Sequence, residues 1–482
     1  MSGRRAVLGV AGVLVALALA LAPTAPAATP ALPATPSLPP STSPIAPDSP
    51  GCVVAPAAAV GSLTEVGATP LDTRVTDLTL HSPAMASDQH VNVLLPRGYD
   101  ASGATRYPVI YLLHGALGSY HDWIANGVEG LLGDFPAIVV MPDDGVDGSY
   151  SDWYGTVVGS SDHPPAWESY HVRELIPFID AHYPTQADRA GRFIAGLSSG
   201  GGGAAKYAAA NPGMFGALGS FSGAVDTDLQ YPQYPVISEA LWGITAIPGE
   251  GPDGHCTWGD PFTQHVVWLD HDPTYLAQNL AGMPIFLASG DGNAGPYDSG
   301  PTFDPTEYEV HAMVLQLISA LDAAGIPHTD ELYGAGTHTW PYWKRDFQHF
   351  LAWLAPYLAH PMPAPSAFSV RSARGPFSAW GWHFTPHRDV REFTYLTDVS
   401  RGGLGVTGSG GLGVVSAPVY SPGVAYAVTA GGGPRRVIAD GTGRLSFTLD
   451  FGPSHEVQQY RFGAGATARW VHLQVRIARA GR

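Results

Sequence analysis

Only two of the 482 residues are cysteines, Cys52 and Cys256, and only 13% are charged. Two cysteines allow at most one bridge, which here would tie an N-terminal arm to the middle of the chain; two free thiols satisfy the sequence equally well. Metal-ligand spacing is lacking too: His255, Cys256, His265 and His271 do not fall at the intervals that close a tetrahedral site. Basic residues are scarce, 24 Lys and Arg against 41 Asp and Glu. The resulting net charge of -17 argues against nucleic acid or an anionic membrane as a partner. Beyond the first 21 residues no run is apolar enough to span a bilayer. No internal repeat emerges.

What is present is an apolar fraction of 45% in a chain long enough for two domains. Arg4 and Arg5 precede the apolar run Ala6 to Leu21, and Ala25-Pro26-Ala27 offers small residues for cleavage. That order reads as an export signal over 1–27. The expected location is therefore secreted, extracellular or cell envelope, with no stable membrane span after cleavage. No leucine-rich lipobox precedes Cys52. Residues 28–62 form a linker, since Thr29 to Pro50 is dense in Pro, Ser, Thr and Ala and cannot bury apolar surface.

From 63 to 360 short apolar runs alternate with amphipathic stretches. Val75 to Leu80 and Gln89 to Leu95 alternate like antiparallel strands. Tyr107 to Leu113 and Ala137 to Pro142 are near-continuous apolar runs, as buried parallel strands require. Glu168 to His182, Ala204 to Ala210 and the stripe Val310, Met313, Val314, Leu317, Leu321 have helical spacing. Strands alternating with helices imply an α/β class, a mostly parallel sheet with helices on both faces. After the proline-rich joint Pro361 to Ser366 the pattern changes. Residues 367–482 show glycine-punctuated short strands and almost no helix signal, which reads as a smaller all-β, sandwich-like domain. Within it Gly402 to Gly413 reads as a hairpin tip. Trp380 and Trp382 read as half-buried sandwich core, with stacking on sugar as the alternative.

Gly196-Leu197-Ser198-Ser199-Gly200 fits G-x-S-x-G between a buried strand and a helix, the context in which that motif presents a nucleophile. A serine hydroxyl needs a base, and the base needs an orienting acid. His338 lies in the glycine-rich loop Tyr333 to Trp340, after a strand and before a C-terminal helix, where an imidazole can reach the serine. Two acids compete. Asp291 follows the strand Met283 to Ala288 directly and leads on position alone; Glu307 reads as a first-turn helix acid. An oxyanion hole needs two N–H groups, and the candidates are Ser199 and, in the loop His114-Gly115-Ala116-Leu117-Gly118, Ala116.

Taken together, Leu112-Leu113-His114-Gly115, Tyr150-Ser151-Asp152-Trp153-Tyr154, Gly196 to Gly200 and Gly336-Thr337-His338-Thr339-Trp340-Pro341-Tyr342-Trp343 resemble the esterase D-type hydrolases. The nearest well-known branch is the mycobacterial mycolyltransferases. The likeness runs from about Val75 to Leu358. It implies an α/β-hydrolase fold and a Ser-Glu-His triad of Ser198, Glu307 and His338, with Asp291 as the alternative acid. It also implies substrate contacts from Trp153 and Trp340. His114-Gly115-Ala116 departs from the Asp-Gly-Leu of the mycolyltransferases, and Glu309 stands where they have phenylalanine. Both changes weaken the case for a long mycolate while leaving acyl chemistry intact.

The expectation is an exported serine esterase or acyltransferase that needs no cofactor and no metal. Its substrate would be an acyl-ester small molecule, lipid or glycan. Two alternatives stand beside it: a polysaccharide acetyl or feruloyl esterase with a sugar-binding C-terminal domain, and a non-catalytic cell-surface binding protein on a hydrolase fold.

Overall fold

A computed structural model describes residues 52–54, 58–145, 148–157, 163–228, 254–260, 263–460 and 469–481. The export signal expected over 1–27 lies outside them. A two-residue strand β1 (Cys52–Val53) pairs antiparallel with β7 (Thr156–Val157), and the Cys52–Cys256 disulfide fastens this arm to a buried position.

The α/β region is built on a nine-stranded sheet. Its strands are β2 (Thr64–Pro70), β3 (Val75–Ser82), β4 (Ser87–Leu94), β5 (Val109–Leu113), β6 (Ile138–Pro142), β8 (Arg192–Leu197), β9 (Ala217–Phe221), β10 (Ile285–Ser289) and β11 (Thr329–Leu332). The order across the sheet is β11-β10-β9-β8-β5-β6-β4-β3-β2. From β11 to β6 every pair is parallel, and from β6 to β2 every pair is antiparallel. Side chains of a strand alternate between faces, and at the centre of this sheet both faces are dry. Val109, Tyr111 and Leu113 of β5 enter one core, while Ile110 and Leu112 enter the other. That two-sided burial is why β5 and β6 read as unbroken apolar runs.

Helices cover the two faces. The stretch expected as one helix over 168–182 winds as a π-helix from Ser169 to Leu175 before continuing as α1 (Ile176–His182). Helix α2 (Ser199–Ala210) begins five residues earlier than its spacing suggests, because the glycine run is helical as well. Glycine disfavours helix by about 1 kcal/mol per residue. Close packing overrides it, since all four glycines from Gly200 to Gly203 are buried. Helix α3 (Pro305–Ala323) lies on the same core as α2, and α4 (Trp340–Ala359) packs Phe347, Phe350 and Leu354 on the opposite face.

The C-terminal β region consists of two antiparallel sheets. One holds β12 (Ala367–Ser372), β15 (Thr394–Ser400), β16 (Gly403–Gly408), β21 (Val471–Arg479), β18 (Ala425–Ala430) and β19 (Arg435–Ile438), in that order. The other holds β13 (Phe377–Ala379), β14 (Trp382–His387), β17 (Gly411–Val415) and β20 (Ser446–Asp450). One apolar core from both sheets lies between them. Gly402 to Gly413 is not a hairpin tip: it supplies β16 to one sheet and β17 to the other. Small residues suit a chain that changes sheets within a few positions. Trp382 is buried in the core, and Trp380 is half-buried at its edge with the Arg189 guanidinium 5.1 Å over its ring.

Candidate active site

Five chain segments leave the C-terminal ends of adjacent parallel strands and converge, the usual place for a site in an open α/β sheet. Ser198 follows β8 directly. Its backbone has φ 55° and ψ -123°, a combination that costs a non-glycine residue about 1–3 kcal/mol. The neighbouring structure enforces it. Ser198 N–H donates to the Phe221 carbonyl at 2.9 Å, while its own carbonyl accepts from Gly202 and Ala224. A Cβ at Gly200 would meet the His114 carbonyl oxygen at 2.3 Å, so only glycine lets the start of α2 reach the loop after β5. The positive end of α2 is thereby aimed at the serine.

The serine hydroxyl lies 2.8 Å from His338 Nε2. His338 Nδ1 lies 2.7 Å from Glu307 Oε2. Neutral imidazole carries one proton, so the Nδ1–H donates to the carboxylate and Nε2 accepts from the serine O–H. Glu307 is fully buried, and its other oxygen accepts from Ser222 Oγ at 2.9 Å and from Gly290 N–H at 2.7 Å. Both carboxylate oxygens are thus engaged, as a buried charge requires. Asp291 is elsewhere. Its carboxylate turns back on its own loop to accept from Asn293 N–H.

Ala116 sits at the tip of a turn closed by Gly118 N–H on the Gly115 carbonyl, 3.2 Å. This turn lies against the nucleophile: a Cβ at Gly115 would fall 3.3 Å from Ser198 Cβ. His114 braces it. The ring donates from Nδ1 to the Gly115 carbonyl and accepts the Asp144 N–H at Nε2, while Tyr150 OH donates to the His114 carbonyl. Ser199 is the first residue of α2, so its N–H has no carbonyl one turn back. Behind the turn, His171 donates to the Asp143 carbonyl and accepts from Tyr207 OH. Burial drives its pKa down to about 3, so the ring stays neutral.

Three further residues belong to this constellation, and sequence reading missed their positions. Asp304 caps α3, accepting from Thr306 and Glu307 N–H through one oxygen and from His338 N–H through the other at 2.8 Å. One side chain thus joins the backbones of the acid and the base. Asp-Pro-x-Glu is a helix-start signature and was available as a signal. Ser222, with φ 47°, is a strained residue one step past β9 and left no sequence signal. Trp343, not Trp340, stands edge-on to the His338 ring at 4.9 Å. Trp340 packs between Trp123 and Trp343 at the start of α4, and Trp153 donates its indole N–H to the Gly148 carbonyl. Among the described residues no group of His, Cys, Asp or Glu is placed to hold a metal ion.

A serine on a strained strand-to-helix turn, hydrogen-bonded to a histidine that is oriented by a buried carboxylate, defines an α/β-hydrolase-type serine site. The chain belongs to the Esterase family, whose model matches residues 82–354. It is 33% identical over 264 residues to an esterase of Mycobacterium tuberculosis, covering 53% of this chain and 54% of that protein. To the diacylglycerol acyltransferase/mycolyltransferase Ag85B of Mycobacterium leprae it is 29% identical over 278 residues, 55% of this chain and 79% of that one. The solved structure of Mycobacterium tuberculosis MPT51 aligns with 57% of this chain and 96% of its own, at 21% identity and a TM-score of 0.46. The chain spans about half the length of the Mycobacterium tuberculosis esterase it matches.

Proposed function

We propose that this chain is an exported serine carboxyl-ester hydrolase or acyltransferase working through an acyl-enzyme on Ser198. The observation that carries the reading is the unbroken chain of hydrogen bonds from Ser198 through His338 to Glu307. Ser198 Oγ attacks the ester carbonyl and its proton passes to His338 Nε2. Glu307 holds the ring in the tautomer that can accept it and stabilises the imidazolium that forms. The N–H groups of Ser199 and Ala116 receive the oxyanion. Collapse expels the alcohol, which takes the proton back from His338, and leaves the acyl group on Ser198. Water or a hydroxyl acceptor then repeats the sequence in reverse, restoring the serine. The triad chemistry itself needs no metal or cofactor. The Cys52–Cys256 disulfide supports an oxidising, exported setting.

A fluorophosphonate probe should label Ser198 alone, and Ser198→Ala should reduce turnover of short p-nitrophenyl esters by about 10⁴-fold or more. Unchanged turnover in that variant overturns the proposal.

A further inference from the structure

The net charge of -17 is an average over two opposed regions. Residues 367–482 contain thirteen arginines, no lysine and six carboxylates, for +7; the first 366 residues contain eleven cationic and thirty-five acidic side chains, for -24. The basic excess has a focus. At one end of the sandwich a pocket of about 320 Å³ opens between Arg401, Tyr420, Ser421, Tyr426, Ile477 and Arg479.

Strand register explains how two guanidinium groups reach it. Val475 and Ile477 of β21 are buried, so Arg479, two positions on, lies on the same inward face. It stands opposite the buried Tyr426 of β18. Alternation calls for an apolar residue at that position, and an exposed arginine occupies it instead. Arg401 belongs to the turn between β15 and β16, whose Gly402 carbonyl accepts from Ile477 N–H. Among the described residues neither guanidinium has a carboxylate partner within ion-pair distance, and no carboxylate lines the pocket. Two phenols add to the polar lining. Tyr420 OH is held by the Arg401 carbonyl. Tyr426 accepts the Ser421 N–H at 3.1 Å, which leaves its own proton to offer.

We propose that this pocket binds an oxyanion-bearing sugar unit, carboxylate or sulfate, of an acidic polysaccharide. Two arginine forks and a phenol supply donors in the geometry that planar oxyanions accept, and nothing opposite repels them. The volume lies at the small end of ligand pockets and suits one or two rings. A bilayer presents its phosphates as a surface and would engage arginines on an open face, with no need of a cavity.

Affinity electrophoresis of the full chain through gels containing polygalacturonate, dextran sulfate or neutral dextran tests it. Retardation by one or both acidic polymers and not by neutral dextran is expected, and the two acidic arms separate carboxylate from sulfate. The double variant Arg401→Gln/Arg479→Gln should weaken that affinity at least about tenfold with an unchanged melting temperature. Arg436→Gln/Arg476→Gln removes the same charge from the outer face of the same sheet and should have little effect. Equal loss in both double variants would mean diffuse attraction and overturn the pocket. So would no retardation by either acidic polymer, or sedimentation with phosphatidylglycerol vesicles without any glycan binding.

Discussion

The α/β region, at -25 over residues 63–360, and the C-terminal β region, at +7, meet across a seam that uses the difference. Arg374, just after β12, reaches into the acidic partner, pairs both nitrogens of its fork with Glu168 and brings Nε within 3.5 Å of Asp270. Glu168 and Asp270 are nearly buried. Next to this, Asn279 exchanges two hydrogen bonds with the Arg371 backbone, and the hydroxyls of Tyr275, Tyr395 and Tyr460 join. Buried charge therefore has two uses in one chain. In the α/β region Glu307 is buried to orient a histidine; at the seam Glu168 and Asp270 are buried to hold the other region in place. Their isolation would be expensive, so each has a fixed cationic or N–H partner.

If chemistry belongs to the α/β region alone, its carboxylates should differ sharply in their effect on turnover. Glu307→Gln keeps the size of the side chain but no longer stabilises an imidazolium, and the amide can present its NH₂ to Nδ1, favouring the wrong tautomer. Turnover should drop about a thousandfold or more in steady-state assays on p-nitrophenyl acetate. Asp291→Asn, at a carboxylate that accepts from Asn293 N–H while His338 Nδ1 bonds Glu307, should stay near wild type. Equal effects would dissolve the distinction between an acid placed for catalysis and one placed in a turn.

The seam makes the opposite prediction. Arg374→Met leaves two buried carboxylates without their cation, and stability should fall by about 3 kcal/mol in urea titration. Removing the exposed pair Arg97–Asp134 through Arg97→Met should change stability by less than about 1 kcal/mol. Below its unfolding midpoint the Arg374 variant should still react with a fluorophosphonate. Failure to react would show that the β region shapes the site and is more than docked beside it.

These two regions were not equally legible. Parallel strands announce themselves because both faces are dry, and Ser198 stands out because its turn demands small neighbours. His338 was found from its glycine loop. Position along the chain favoured Asp291, whereas the carboxylate beside His338 enters from the first turn of α3; only the resemblance to known hydrolases pointed to Glu307. Asp304 was readable as a cap, but its second oxygen bonds His338 across a sequence gap that no local pattern reports. In the C-terminal region, glycine-rich strands carry few side chains to mark their faces, so β16 and β17 passed for a loop. Arg374 and Arg479 look like ordinary surface arginines until register and burial are known.

One buried carboxylate in each region sharpens the contrast by the sign of its effect. Glu392, in the β region, is saturated: Arg388, His455 and Ser409 all bond it. Asp346, on α4, has Arg345 on one oxygen and, among the described residues, no hydrogen-bond partner for the other. Burial pushes its pKa up to about 8, against the pull of Arg345. An unfolded carboxyl titrates near 3.8. Between those values the folded protein keeps a proton that the unfolded chain has released, so this residue's contribution to stability falls as pH rises through that window. Asp346→Asn cannot ionise. Relative to wild type it should gain stability progressively from about pH 4 and be at least about 1 kcal/mol more stable at pH 9. Glu392→Gln should be destabilising, because it strands Arg388. Melting curves of both variants across pH 5 to 9 decide the matter; a flat difference for Asp346→Asn would mean that Arg345 holds the aspartate ionised throughout.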